Sequence, residues 1–581
     1  MVISLSKRSK RFVFLVAISF VGLYSQAAEY MSLKDVKPGM KGVGKTVFRG
    51  TQVEDFDVEI IGVVENFIPG KDLILVRVGG GVIDEAGVIE GMSGSPVYVD
   101  GKLIGAMAYK FGAFQKEPIG GVTPIEEMLR IFEPGHEQGG IHMGEHGVVP
   151  IGTPLTVAGF HPNICDEIAN ACMQFGFVPV STGTPRGESM GEFSAEPGAV
   201  IGLSLIRGDA EMSAIGTLTL VEGDKVIGFG HGAFVGGKVD LPLVAGYVHS
   251  VIPSSFMSYK LASGCQVIGK ITADRVVGVG GRLGARARLI PATVKVGSTE
   301  GEETYQYEIV QYKLMTPLLV NWIAKNSLLA SIKATGDCTV SGEMKVVVGD
   351  TRTVRLRNVF AGSNAIDEFG RWVYQPIERL LNNQFGEQEI SSIELNVSMK
   401  EEVEKVRILS VKLNRTSFKQ SDTLVAEVEL LSLDGDRYTE EFFVPMGRVP
   451  EGVGLEVQVS SSDTLRAQEM QRWPRRFSPT SPDHLIRLIE DAGSSDELEL
   501  RVLVGEEVVQ LKGIDLPFLP SSVRGLFHAG KIADETVVTT GYPLFSVRRR
   551  LVHPISGFET IEVKMEGAVE EPETNGGRNK K

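Results

Sequence analysis

The chain is poor in cysteine, has no positive charge surplus and carries almost no long apolar runs. Its four cysteines, Cys165, Cys172, Cys265 and Cys338, show no CxxC spacing, which argues against a zinc cage. The even number leaves disulfides open, and Cys165 and Cys172 are close enough in sequence to close a small loop. A net charge of −14 argues against a nucleic-acid binder, which needs a basic face, and against docking on an anionic lipid surface. Beyond the N-terminus no segment is long and apolar enough to span a bilayer. Long amphipathic stretches are scarce, and no internal repeat stands out. The 68 glycines, set among many Val, Ile and Thr, favour short strands and tight turns. A chain of 581 residues is too long for one core, so roughly two to four domains are expected.

The N-terminus has its own pattern. Lys7, Arg8, Lys10 and Arg11 precede FVFLVAISFVGLY, followed by the small residues Ser25 and Ala27 in SQAAEY. This predicts a secretory signal peptide over 1–28, cut after Ala27 or Ala28. The mature chain would then be exported to the periplasm, cell envelope or extracellular space, with no transmembrane span left.

Along the chain, TVFRG, FDVEIIGVV, DLILVRV, PVYV, KLIGAMAYKF and GGVTPI read as strands, and EEMLRIFE as a short helix. The expected layout is a β-rich unit over 29–135, a Gly-rich polar linker over 136–150 and a second β-rich unit over 151–334. A third module with sandwich-like strands and a few short helices covers 335–567, and 568–581 forms a polar tail.

Two motifs invite over-reading. GMKGVGKT, Gly39 to Thr46, fits the P-loop pattern, but that chemistry needs a helix after the glycines to present its N-terminus to phosphate. Here strand-like VFRGTQVEDFDVEII follows, so a plain turn is expected and no nucleotide. HMGEH, His142 to His146, fits a zinc-protease pattern that works only on a helix, and this copy lies in the Gly-rich linker. No metal or other cofactor is expected.

The stretch GMSGSPVYVDGKLIG, Gly91 to Gly105, holds two serines in a glycine frame ahead of a hairpin. A serine nucleophile needs an exposed Oγ and amides that converge on the developing oxyanion, and glycines permit such a turn. The order of turn, hairpin, strand and helix resembles the end of a trypsin-like protease, where GDSGGP opens the same series. GVIEGMSGSPVYVDGKLIGAMAYKF, with FDVEIIGV and ILVRV upstream and GGVTPIEEML downstream, is similar to the signature of the SpoIVB-type serine peptidases. GTLTLVEGDKVIGFGHG resembles the second signature of that family, a GTLT strand followed by a glycine-flanked histidine.

The resemblance implies Ser93 as nucleophile, His231 as general base, and the amides of Gly91 and Ser93 as the oxyanion hole. Ser95 falls on a structural glycine position. In the resembled family the histidine block comes first; here the serine block does, a permuted order that a geometrically defined triad tolerates. The family's PDZ module is not evident. The position of its acid is Val78 here. Asp84, on the same loop and nearer the serine, is the first substitute, with Glu85 beside it and Asp274 in ITADRVVG as a further option. By the trypsin-like correspondence Gly87 lies at the base of the primary pocket and Ala108, Tyr109 and Lys110 along its wall. No acid waits for Lys or Arg, so a small or apolar residue before the cut is expected.

The implied fold is mainly β: a trypsin-like double β-barrel in permuted order, followed by a β-rich, sandwich-like module. The implied function is an exported serine endopeptidase. It would cut envelope or membrane-associated proteins, or itself, at limited sites. The rival reading is a catalytically inactive peptidase-fold envelope protein acting as a binding or scaffold module.

Overall fold

The computed structural model describes residues 29–112, 115–133, 147–183, 193–298, 301–331, 336–511, 514–516, 519–528 and 536–567. The expected signal peptide, the HMGEH motif and the C-terminal tail lie outside these residues. The fold is mainly β.

The first unit is a closed barrel of β1 (Lys41–Thr46), β2 (Glu54–Ile68), β3 (Lys71–Gly79), β4 (Pro96–Val99), β5 (Lys102–Phe111) and β6 (Ile119–Pro124). Its strands pair antiparallel in the order β1-β2-β3-β6-β5-β4, and β4 returns to β1. Period-two burial explains the closure: Phe56, Val58 and Ile60 point inward from β2 and meet Val76 and Val78 of β3. The β4–β5 turn is Asp100-Gly101, both with φ above zero, as a tight two-residue hairpin demands. A short helix, α1 (Val82–Ala86), leads towards the serine block, and another, α2 (Ile125–Met128), follows β6 at the start of the expected EEMLRIFE helix. The GMKGVGKT stretch is a turn running into β1, with no helix behind it.

The second unit holds β10 (Val200–Gly208), β11 (Glu211–Glu222), β12 (Lys225–Gly228), β13 (Gly237–Ile252), β14 (Tyr259–Arg275) and β15 (Gly278–Leu283). They pair as β10-β11-β12-β15-β14-β13 and close back on β10. Strand for strand this is the order of the first barrel. The chain therefore does contain a repeat, one of topology. It left no repeat in the sequence because pairing order depends on alternation and turn positions, which many different residues satisfy.

Between the barrels run β7 (Val148–Pro150), β8 (Thr153–Ala158), α3 (Pro162–Cys172) and β9 (Phe177–Ser181). The linker expected to reach residue 150 thus ends as a strand: β7 pairs with β5, and β8 pairs with β11. All four cysteines are free thiols. Cys165 and Cys172 lie on α3, about 10 Å apart along its axis, so the small-loop disulfide is sterically closed to them.

A third element group continues the second barrel's sheet. It comprises β16 (Leu289–Ser298), β17 (Gly301–Val310), β18 (Cys338–Val348), β19 (Arg352–Gly362) and β20 (Ile390–Lys400). β17 joins β10, while β20 lies parallel to β16 and antiparallel to β18. The helices α4 (Thr316–Ser331) and α5 (Ala365–Leu381) pack on this sheet and share its core. The division expected at residue 335 therefore falls inside one continuous sheet. The sandwich begins later. Val406–Leu413, Thr423–Ser432 and Arg437–Pro445 form one layer; Gly454–Ser461, Glu497–Leu511 and Glu559–Met565 form part of the other. They enclose an apolar core around Phe418, Phe442 and Leu500. Among the described residues no helix is long and apolar enough to cross a membrane.

A buried polar link ties the two barrels. Lys260 of β14, fully buried, donates from Nζ to Thr46 Oγ1 of β1 at 2.7 Å. Burial pushes its pKa from 10.5 down to about 7. Between those values the folded chain binds fewer protons than the unfolded one, so stability rises with pH across that window. Below about 7 the buried ammonium's full cost is felt. A Thr46→Val/Lys260→Met pair should remove this cost. Urea unfolding should show the double variant gaining most over the parent at pH 6, with the gain shrinking towards pH 10. A pH-independent difference would contradict the assignment.

Candidate active site

The serine turn is built by short backbone bonds. Met92 N donates to Ile89 O at 3.1 Å, and Ser95 N to Met92 O at 3.0 Å. The turn is then clipped to β5: Gly94 N donates to Met107 O at 2.7 Å, and Met107 N to Ser95 O at 2.9 Å. Gly94 has φ +92°, and a Cβ there would stand 2.1 Å from Thr217 O and 2.4 Å from Phe229 N. Only glycine fits, because the second barrel's backbone occupies the space.

The GTLT strand explains itself in this contact. Thr217 N donates to Ser93 O at 2.8 Å, Thr217 Oγ1 to Gly91 O at 3.1 Å, and Thr219 Oγ1 to Gly94 O at 2.7 Å. Three carbonyls of the serine turn are thus held by two threonines of the opposite barrel. Contrary to the exposed Oγ expected of a nucleophile, Ser93 and Ser95 are both fully buried; among the described residues neither Oγ has a hydrogen-bond partner, so Ser93 and His231 are not hydrogen-bonded to each other.

The histidine turn docks in the reverse direction. Thr123 Oγ1 of β6 donates to Gly230 O at 2.7 Å, and a Cβ on Gly230 would lie 2.8 Å from Met107 O. Phe229 adopts φ +69°, a costly state for an aromatic residue. Its ring fills the space above Gly216, where an added Cβ would stand 2.5 Å away. This fixes the backbone two residues before His231.

The His231 ring is 5% exposed. Its Nδ1 lies 2.9 Å from Gly232 O, and a carbonyl only accepts, so Nδ1 carries the proton. Nε2 then holds the lone pair; among the described residues it is buried with no hydrogen-bond partner, while the Ile151 carbonyl also lies against the ring. Burial lowers the imidazole's pKa, opposed by nearby carbonyls, so the ring is neutral at pH 7.

The acid is not where the sequence reading put it. Asp84 is exposed on α1 and accepts the Gly80 amide at 2.8 Å. Glu85 is exposed beside it, and Val78 points into the barrel core. Among the described residues no carboxylate pairs with the imidazole. α1 turns its acidic side outward because Ile83 and Ala86 are the residues it buries. Asp274 is fully buried and accepts amides of Ala233 at 2.8 Å, Phe234 at 2.7 Å and Gly236 at 3.4 Å. It fixes the turn that carries the Gly232 carbonyl and so acts on the histidine at one remove. Burial pushes its pKa up and those amides pull it down.

The expected oxyanion donors also differ. The Gly91 amide is already engaged, donating to Gly152 O at 3.1 Å. The Ser93 amide has no acceptor among the described residues. The pocket residues divide into two places. Tyr109 lines a cavity of about 570 Å³ together with His231, Val149 and Pro150. Gly87 and Lys110 line a smaller one of about 190 Å³ with Asp84. Ala108 is buried, and its carbonyl accepts the Ile151 amide at 2.8 Å. Lys110 is ion-paired with Glu90, a carboxylate 1% exposed, whose pKa burial raises against the pull of the lysine. Glu90, Gly152 and the Gly232 carbonyl were not foreseen. The one signal for Glu90 was an acid inside the apolar run GVIEGM; the other two act through backbone atoms, which a sequence does not mark.

Residues 21–129 match the SpoIVB peptidase S55 family. The match covers the first barrel and its serine block, and it stops before the GTLT strand and His231. It supports a serine peptidase, a hydrolase, in keeping with the closed six-stranded barrel. No curated protein and no solved structure matches the chain.

Two substitutions test the interlock. Thr219→Val leaves the Gly94 carbonyl buried without its donor and should cost about 1–3 kcal/mol in urea unfolding. Gly94→Ala should cost roughly 3 kcal/mol or more, from the clash and from strain at positive φ. A neutral Gly94→Ala would mean that the two turns do not meet as described.

Proposed function

We propose that the chain is an exported serine endopeptidase of SpoIVB type. Ser93 Oγ attacks the peptide carbonyl, and His231 Nε2 takes its proton and later passes it to the leaving amine. The Ser93 amide stabilises the oxyanion, and the Gly91 amide joins it once released from Gly152. The observation that carries this reading is the buried, neutral His231, with Nδ1 capped by a carbonyl and Nε2 free, on a turn locked to the serine turn. In a Ser-His-Asp enzyme the acid's main task is to hold that tautomer, and its loss costs ~10⁴ in turnover. The Gly232 carbonyl performs the tautomer task but brings no full negative charge to the imidazolium. Turnover below that of a full triad is the expected result.

By the family likeness the substrates are envelope or membrane-associated proteins, cut at limited sites. Export rests on the basic and apolar N-terminal segment. A second reading, an inactive peptidase-fold scaffold, is favoured by the absence of a carboxylate at the imidazole among the described residues, by the buried, unbonded Ser93 Oγ and by the occupied Gly91 amide.

A fluorophosphonate probe decides between them. The mature protein should be labelled, Ser95→Ala should keep labelling, and Ser93→Ala and His231→Ala should lose it. Labelling should be flat near neutral pH and fall about tenfold per pH unit once His231 protonates. The midpoint should lie below the ordinary 6.5 because burial disfavours the charged ring. A folded wild type that is never labelled supports the scaffold, and labelling lost only in Ser95→Ala moves the nucleophile.

A further inference from the structure

The serine turn and β7 share one edge of β5. β4 pairs with the first half of β5, from Lys102 to Ala106. The serine turn binds the next residue, Met107, through both its amide and its carbonyl. The Ala108 carbonyl then takes the Ile151 amide at 2.8 Å. Beyond it Tyr109, Lys110 and Phe111 pair antiparallel with Pro150, Val149 and Val148. β7 forms the end of that sheet path. An extended peptide therefore lies antiparallel on β5, running directly into the serine turn, and that peptide is the chain itself.

Its contacts follow a peptide's course through a protease cleft. Ile151 is fully buried and joins the apolar cluster that holds Ile89, Met92 and Met107. Its carbonyl faces the His231 ring. The Gly152 carbonyl takes the Gly91 amide, one of the two expected oxyanion donors. Gly152 has no room for a side chain: a Cβ would stand 2.8 Å from Glu90 Oε2 and 2.8 Å from Val178 Cγ2. Ser93 lines neither cavity described above.

We infer that Val148–Gly152 is a built-in occupant of the substrate cleft, and that the β5 edge from Ala108 to Phe111 is where an extended polypeptide with an aliphatic residue ahead of the cut docks by displacing it. This rests on the peptidase reading for its meaning, though the occupancy itself does not need catalysis. β-Strand addition supplies affinity through main-chain bonds, while the pocket that receives Ile151 supplies selectivity. The three-residue strand β7 is a short hold.

The test uses a fluorescein-labelled peptide of sequence GVVPIGT, copied from Gly147–Thr153, and the full chain carrying Ser93→Ala. Anisotropy titration should give weak binding to Ser93→Ala alone. Binding should tighten at least tenfold when Gly152→Val or Ile151→Asp is added to expel the strand. A peptide with Asp in place of its Ile should not bind. With Ser93 intact, the same expelling substitutions should speed fluorophosphonate labelling at least tenfold. Equal binding with and without the expelling substitutions, in proteins whose melting transitions remain, overturns the inference. So does unfolding of both variants, since a displaceable occupant cannot be essential to the fold. Tight peptide binding without labelling of any Ser93-containing form would keep this inference and remove the peptidase reading. Fast labelling of the parent, unchanged by the variants, would do the reverse.

Discussion

Everything at the centre of this molecule depends on the close approach of two glycine turns from different barrels. Gly94 lies where Thr217 and Phe229 leave space for a hydrogen only, and Gly230 also lies too close to Met107 for a side chain, though less tightly. Contacts this short carry no slack. They transmit the position of one barrel's backbone to the other's, and side-chain adjustment cannot absorb an error. The threonines of β11 add direction, since their hydroxyls and one amide each select a particular carbonyl of the serine turn. The result is a fixed relation between Ser93 and His231 that no covalent cross-link enforces.

Around that contact the polar groups fall into two kinds. Asp274 is buried but spread over several amides, so its charge is matched locally and serves to set a turn. Glu90 and Lys260 are buried with few partners, Lys110 and the Gly152 amide for the first and Thr46 for the second, and both pay for desolvation in their pKa values. They sit along the seam between the barrels and the strand that follows. Chains rarely bury such groups for stability alone. Here both adjoin the serine turn: Glu90 precedes Gly91, and the Lys260 amide donates to the Glu90 carbonyl at 3.0 Å.

Much of the architecture was legible from local patterns. The alternation in FDVEII, the Asp-Gly turn of PVYVDGKLIG and the glycine spacing of GFGHG each dictate their own geometry within a few residues. The serine and histidine turns could be named for that reason. What stayed hidden was settled between distant segments. VVPIGT reads as the end of a polar, Gly-rich linker, and only its pairing with Tyr109–Phe111 makes it a strand. Asp84 was favoured by nearness in sequence, yet its short helix buries Ile83 and turns the carboxylate outward. The shared strand order of the two barrels was invisible because hydrophobic alternation does not say which edge a strand will choose. The boundary at 335 failed likewise, since β20 crosses it to lie beside β16.

The identical closure of the two barrels has a consequence in time. Each barrel is a contiguous stretch of chain whose strands find all their barrel partners within it, so each can close as it emerges, N-terminal half first. The serine turn is therefore made early and then waits. Its carbonyls lack their threonine donors until the second barrel has been synthesised and has docked. The chain order thus makes the contact between the two turns wait for the second barrel, and couples the seating of His231 beside the serine turn to the folding of both.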